Sequence, residues 1–108
     1  MKPENKQMVT VNETLSRLGS ALGRARVEKG SSIQEIADTL ALPPELLASI
    51  EAGRQRPKLK TLIRILILLK LPPRQLRAQV AEADPATAQL LENATAVYRL
   101  YEASTGQA

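Results

Sequence analysis

Apolar residues recur along this chain at intervals of three and four, and proline or glycine breaks the rhythm five times. The pattern predicts an all-α fold of six helical segments. The first, residues 11–29, puts Val11, Leu15, Leu18, Leu22 and Ala25 on one stripe and Arg17, Arg24 and Lys29 off it. Thr10 with Glu13 reads as a capping box at its start, and Gly30 as its stop. Gly19 and Gly23 lie inside it, each costing up to roughly 1 kcal/mol against Ala. Their four-residue spacing can allow another helix to come close. The polar residues 1–9, with Pro3 and no periodicity, read as a disordered tail.

Residues 32–53 carry the sharpest local signals. Ser32 and Glu35 have the spacing of a capping box, in which each side chain satisfies a backbone N–H at the helix start. Ile33, Ile36, Ala37 and Leu40 then share one face over residues 33–40. Ala41 and Leu42 make a turn. A second short helix spans 44–52, with Pro44 at the first helical position, where its missing N–H does no harm. Leu46, Leu47 and Ile50 point inward, and Gly53 ends the segment.

The next seven residues, 54–60, hold the cations Arg54, Arg56, Lys58 and Lys60 and no acid. They lead into a helix over 58–70 that is apolar almost all round. With Leu59, Leu62, Leu66 and Leu69 facing the core, Ile63 and Ile67 lie on the flank and Leu68 points away. A helix of this kind needs two packing surfaces. A short helix over 73–80 follows the break at Pro72 and Pro73, with Leu76 and Val80 inward. Asp84 as N-cap and Pro85 at the first position start the last helix, 85–103. Its stripe is Leu90, Leu91, Ala94, Val97, Tyr98 and Tyr101, and it spans roughly 28 Å. Two placements are open: it pairs with a second copy of itself, or it folds back on its own domain. In the first, Ile67, Leu68, Leu90, Leu91, Val97, Tyr98 and Tyr101 form a dimer or partner interface. Residues 104–108 read as a frayed end.

Composition narrows the function. The 108 residues include no Cys and no His, which removes disulfides, thiolate metal sites and the commonest general base. No carboxylate pair or Gly-rich phosphate loop stands out, so no enzyme, cofactor or metal is expected. No apolar run reaches the length of a membrane span, and the N-terminus lacks the apolar core of a signal peptide, so a cytoplasmic protein without a membrane partner is expected. The net charge of +4 is unevenly spread. Residues 9–80 carry twelve Lys/Arg against six Asp/Glu, whereas residues 81–108 carry Arg99 against four acids. A basic body of this kind suits a nucleic-acid partner.

Residues 18–76 resemble the helix-turn-helix family of the phage lambda repressor and Cro, the xenobiotic-response-element type. The resemblance rests on Arg24, Arg26 and Gly30, on Ser32-Ile33-Gln34-Glu35-Ile36-Ala37, on Ile50-Glu51-Ala52-Gly53, and on Arg56-Pro57 followed by Leu59, Thr61 and Leu62. It implies a compact five-helix DNA-binding domain at 10–80, with the amphipathic helix at 84–103 as an addition. It also implies a dimeric transcriptional regulator of the repressor type, bound to double-stranded DNA. Segment 44–52 becomes the recognition helix, offering Pro44, Glu45, Ala48 and Ser49 to the bases, while Glu51 is structural. Ser32 and Gln34 at a helix start would face a phosphate, and Arg54, Arg56, Lys58 and Lys60 would grip the backbone. Gln34 stands one place after the position the family's Gln usually takes, a turn of about 100° on a helix. No outward residue of 44–52 is Arg, Lys, Asn or Gln, the types that bind bases bidentately. Affinity is therefore expected from phosphates, and specificity from a few base contacts, DNA shape, or the tail lysines Lys2 and Lys6. The alternative is a helix-turn-helix fold used on a protein partner, as in an antiactivator or an antitoxin-like adaptor.

Overall fold

The computed structural model describes the backbone of residues 3–80 and 84–106 and the side chains of residues 13–80 and 84–106. Six helices follow one another: α1 (Pro3–Lys29), α2 (Ile33–Leu40), α3 (Pro44–Glu51), α4 (Leu59–Leu69), α5 (Pro73–Gln79) and α6 (Pro85–Thr105). Among the described residues there is no strand. The all-α reading and the order of elements hold.

The largest departure is at the N-terminus. The helix runs from Pro3, so residues 3–9 are not a disordered tail and Thr10 lies in the helix interior rather than at its cap. Proline is well suited to a first helical position, and no glycine or proline interrupts the chain between Glu4 and Leu18. The backbone of Lys6 is thus helical, while Lys2 lies outside the described residues. The buried face of α1 is also turned from the expected stripe. Thr14, Leu18, Ala21 and Leu22 are buried, whereas Leu15 and Ala25 are half-buried.

That rotation follows from the glycines. Gly19 faces the C-terminal end of α3, where a Cβ would lie 2.3 Å from the Ile50 carbonyl oxygen. Gly53 takes a positive φ of 77° and passes so near α1 that a Cβ would lie 2.8 Å from the Ser16 Cα. Both positions exclude a side chain, so α1 and the end of α3 meet backbone to backbone. Gly53 also closes α3 as a Schellman motif. Its N–H donates to Ile50 O at 3.1 Å, and Arg54 N–H donates to Ser49 O at 3.0 Å.

The turn between α2 and α3 uses the same device without a glycine. Ala41 sits in the left-handed region at φ 57°, and Leu42 N–H donates to Ala37 O at 2.9 Å. Arg64 on α4 donates to the Leu40 carbonyl, satisfying an acceptor that the end of α2 leaves open.

Helix α4 lies at the centre. Leu62, Ile63, Ile65 and Leu66 are all buried, because α1 packs on one side and α6 on another. The second packing surface that its sequence demands is therefore α6 of the same chain. Leu90, Leu91, Ala94 and Tyr98 of α6 join the core. This corrects the partner-interface reading of Leu90, Leu91 and Tyr98, which α4 and α5 cover. Ile67, Leu68, Val97 and Tyr101 are half-buried. Helix α6 continues to Thr105, two residues past the expected end, and stops at Gly106 in the left-handed region.

The close approach at Gly19 can be tested. Alanine normally favours a helix over glycine by up to roughly 1 kcal/mol. Gly19→Ala should instead lower the unfolding free energy by about 2–3 kcal/mol, since the new methyl meets backbone. Gly23→Ala, whose methyl would meet only the Glu51 carboxylate at 3.0 Å, should stay within about 1 kcal/mol of wild type. Urea denaturation of both variants decides it.

Candidate nucleic-acid interface

The helix-turn-helix unit, α2 and α3, is held by one guanidinium. Arg26, near the end of α1, donates from Nε to Glu51 Oε2 at 2.7 Å and from Nη2 to Glu51 Oε1 at 3.0 Å. Its Nη1 donates to the Ser31 carbonyl at 2.8 Å. Both side chains are largely buried, at 16% and 12% exposure. The bond to Glu51 raises the Arg26 pKa further above its ordinary value, against the opposing effect of burial. Glu51 is thus structural, as the resemblance implies. One side chain fixes the start of α2 and the end of α3, the two ends that bracket a candidate DNA surface.

At the start of α2 the Ser32 hydroxyl accepts from Glu35 N–H at 3.0 Å, and Glu35 Oε1 accepts from Ser32 N–H at 2.9 Å. The predicted capping box is formed. It uses two of the orphan donors of this helix start and leaves the amides of Ile33 and Gln34 without a helical acceptor. The Gln34 side chain is exposed but engaged, donating to Asp38 Oδ1 at 2.8 Å one turn later. On α3, Glu45 and Ala48 are exposed, and Pro44 and Ser49 are half-buried. All four predicted base-contact residues therefore present some surface on one short helix.

The strap after α3 divides into two kinds of cation. Arg54, Lys58 and Lys60 are exposed and have no acidic partner among the described residues. Arg56 is different. It donates from Nε to Thr87 Oγ1 at 2.9 Å and from Nη2 to Asp84 Oδ2 at 3.1 Å. Its guanidinium is thus bonded to the start of α6 rather than free like the other three, and its side chain keeps 33% exposure. Sequence reasoning missed this because Asp84 reads locally as an N-cap and nothing marks its partner 28 residues upstream. Asp84 does cap α6, accepting from Thr87 N–H at 3.4 Å, and its own N–H donates to Thr14 Oγ1 of α1 at 3.4 Å. Thr14 and Thr87 are the two buried polar residues among those described, and both belong to this junction.

The match to known families follows this geometry. Residues 13–76 match the family model of helix-turn-helix domains of the Cro/C1, xenobiotic-response-element-like type. That stretch is more than half of the chain, and the chain belongs to this family of DNA-binding transcriptional regulators, which is not a family of enzymes. Comparisons with curated proteins and with solved structures gave no match. No helix among the described residues is long and apolar enough to cross a membrane.

The junction has a pH signature. Burial alone would raise the Asp84 carboxyl, but hydrogen bonds from Thr87 and the charge of Arg56 more than offset it and hold the group below its usual value. A carboxyl depressed in the folded state contributes stability that is complete above its unfolded pKa and lost as pH falls through the folded one. Asp84→Asn, which keeps a good N-cap, should therefore be less stable than wild type near neutrality. The gap should close as urea unfolding is followed down through the carboxylate range.

Proposed function

We propose that the protein is a sequence-specific transcriptional regulator that holds DNA chiefly by its phosphates and acts as a dimeric repressor. The observation that carries this reading is the trio Arg54, Lys58 and Lys60. They are exposed, unpaired by acids among the described residues, and follow directly on the exposed face of α3. The capped start of α2 supports it from the other side, since two unbonded amides and the helix dipole favour an anion there. Base reading falls to few groups. Ser49 can donate one hydrogen bond, Ala48 can meet a thymine methyl and Glu45 can accept from cytosine. DNA shape supplies the remainder.

The alternative, a helix-turn-helix fold serving a protein partner, rests on the face of α3, which lacks basic side chains, and on apolar surface at α4 and α6. Ile63, Ile65, Leu90, Leu91 and Tyr98 are buried inside the chain, which removes the support from those residues of α4 and α6 and leaves that from α3. What remains on α6 is a short stripe of Val97, Leu100 and Tyr101, with Leu100 at 69% exposure. We assign it to the pairing of two copies, which would let a regulator of this family span adjacent half-sites.

Two measurements test these statements. Titration of a labelled mixed-sequence duplex across a salt series should give a steep negative slope of log affinity against log salt. Replacing Arg54, Lys58 and Lys60 together by Ala should reduce that slope by about 2–3. A wild-type chain that binds no duplex even at low salt sinks the regulator reading. Separately, sedimentation should show a dimer that Leu100→Glu converts to monomer; a wild-type chain that sediments as a monomer removes the pairing and leaves DNA binding standing.

A further inference from the structure

The strap between α3 and α4 is fastened at both ends. Arg54 N–H is bonded to Ser49 O at its start, and Leu62 N–H to Lys58 O at its finish. Between them, among the described residues, no backbone hydrogen bond holds residues 55–57. The middle is fixed by the buried ring of Pro57 and by the Arg56 side chain, which reaches Thr87 and Asp84 at the start of α6. Thr87 is fully buried and the Asp84 side chain is 10% exposed. The acceptors of the anchor are therefore buried, while the Arg56 side chain that reaches them is 33% exposed.

An acid beside a DNA-gripping strap is costly on charge grounds alone, because it repels phosphates. Its presence at this point calls for a different role. We propose that Asp84 and Thr87 are positioning residues for DNA binding: acting through Arg56, they hold the strap in the shape that aims Arg54, Lys58 and Lys60 at the phosphate backbone. The inference rests on the regulator reading above. It goes further by making the docking of α6 a condition of the grip. A strap already ordered before contact has less conformational freedom to lose on binding, and binds more tightly for that reason. The same junction takes in Thr14 of α1, so the strap is referenced to the helix that also carries Arg26.

Charge and positioning predict opposite signs for one substitution. Asp84→Asn removes a negative charge while leaving an N-cap residue in place. If Asp84 matters only as a charge, the variant binds duplex more tightly than wild type. If it positions the strap, binding weakens by about threefold to tenfold with the salt slope unchanged, because the same phosphates are contacted. Backbone ¹⁵N order parameters for residues 55–58 of the full chain should drop in the variant from near the rigid value of about 0.85 toward about 0.6. Arg56→Gln cuts the same link from the other side. The double variant should bind no more weakly than either single one. The probe is the mixed-sequence duplex of the salt titration, with wild type measured alongside. Unchanged or tighter binding by Asp84→Asn overturns the positioning role, as do unchanged order parameters at 55–58. A wild-type chain that fails to bind is a separate outcome and fails the regulator reading itself.

Discussion

The guanidinium of Arg26 sits where three helices meet, and the geometry of the DNA-binding unit depends on it. Its bonds to Glu51 and to the Ser31 carbonyl connect the end of α1, the start of α2 and the end of α3. A largely buried pair of this kind is not primarily a source of net stability, since both charges have given up water to form it. It is a source of uniqueness. Removing either partner strands the other, so alternative packings in which α3 slides or rotates leave a bare charge inside the protein. Gly19 makes the arrangement reachable by letting the carbonyls at the end of α3 come against α1. The fork and the glycine thus specify one register for the helix that presents Glu45, Ala48 and Ser49.

A second arginine does for the outer layer what Arg26 does for the inner one. Arg56 leaves the strap and ends on Asp84 and Thr87, so the segment that carries the free cations is joined to the helix added beyond the helix-turn-helix core. The apolar surface tells the same story. Helix α4 is covered on one side by the DNA-binding unit and on another by α6, and Leu91, Ala94 and Tyr98 are as much part of the core as Leu62 and Leu66. Residues 10–80 and 84–103 are distinct in sequence pattern, yet they share one core.

Local signals were legible in the sequence and long-range ones were not. The capping box of Ser32 with Glu35, Pro44 at the start of α3 and Gly53 at its end are readable because each acts within four residues. So is Asp84 as a cap. The family could be read because several such local features recur at fixed spacing. The partner of Arg56 could not be read, because it lies 28 positions away with two helices between. The phase of α1 was misjudged because Thr14 counts as polar in any periodicity, although it is buried against Asp84. The excess of apolar residues on α4 was correctly seen as needing a second surface, but a sequence does not say whether that surface comes from the same chain. On α3 the sequence already shows the scarcity of base-reading side chains, and the fold leaves that unchanged: Glu45 and Ala48 are exposed, Pro44 and Ser49 are half-buried, and Glu51 is turned in against Arg26.

The central place of α4 also has a consequence for synthesis. Leu69 leaves the ribosome about 36 residues ahead of the end of α6. At roughly 5–20 residues per second, the nascent chain carries Ile63 and Ile65 without their outer cover for about 2–7 seconds. During that interval the helix-turn-helix unit can assemble around Arg26, yet one side of its central helix is bare hydrocarbon. A polysome making this protein therefore displays several such surfaces close together, each awaiting its own last helix. The break of only five residues between Gln79 and Pro85 keeps that last helix near α4 from the moment it forms, which favours closure within a chain over capture by its neighbour.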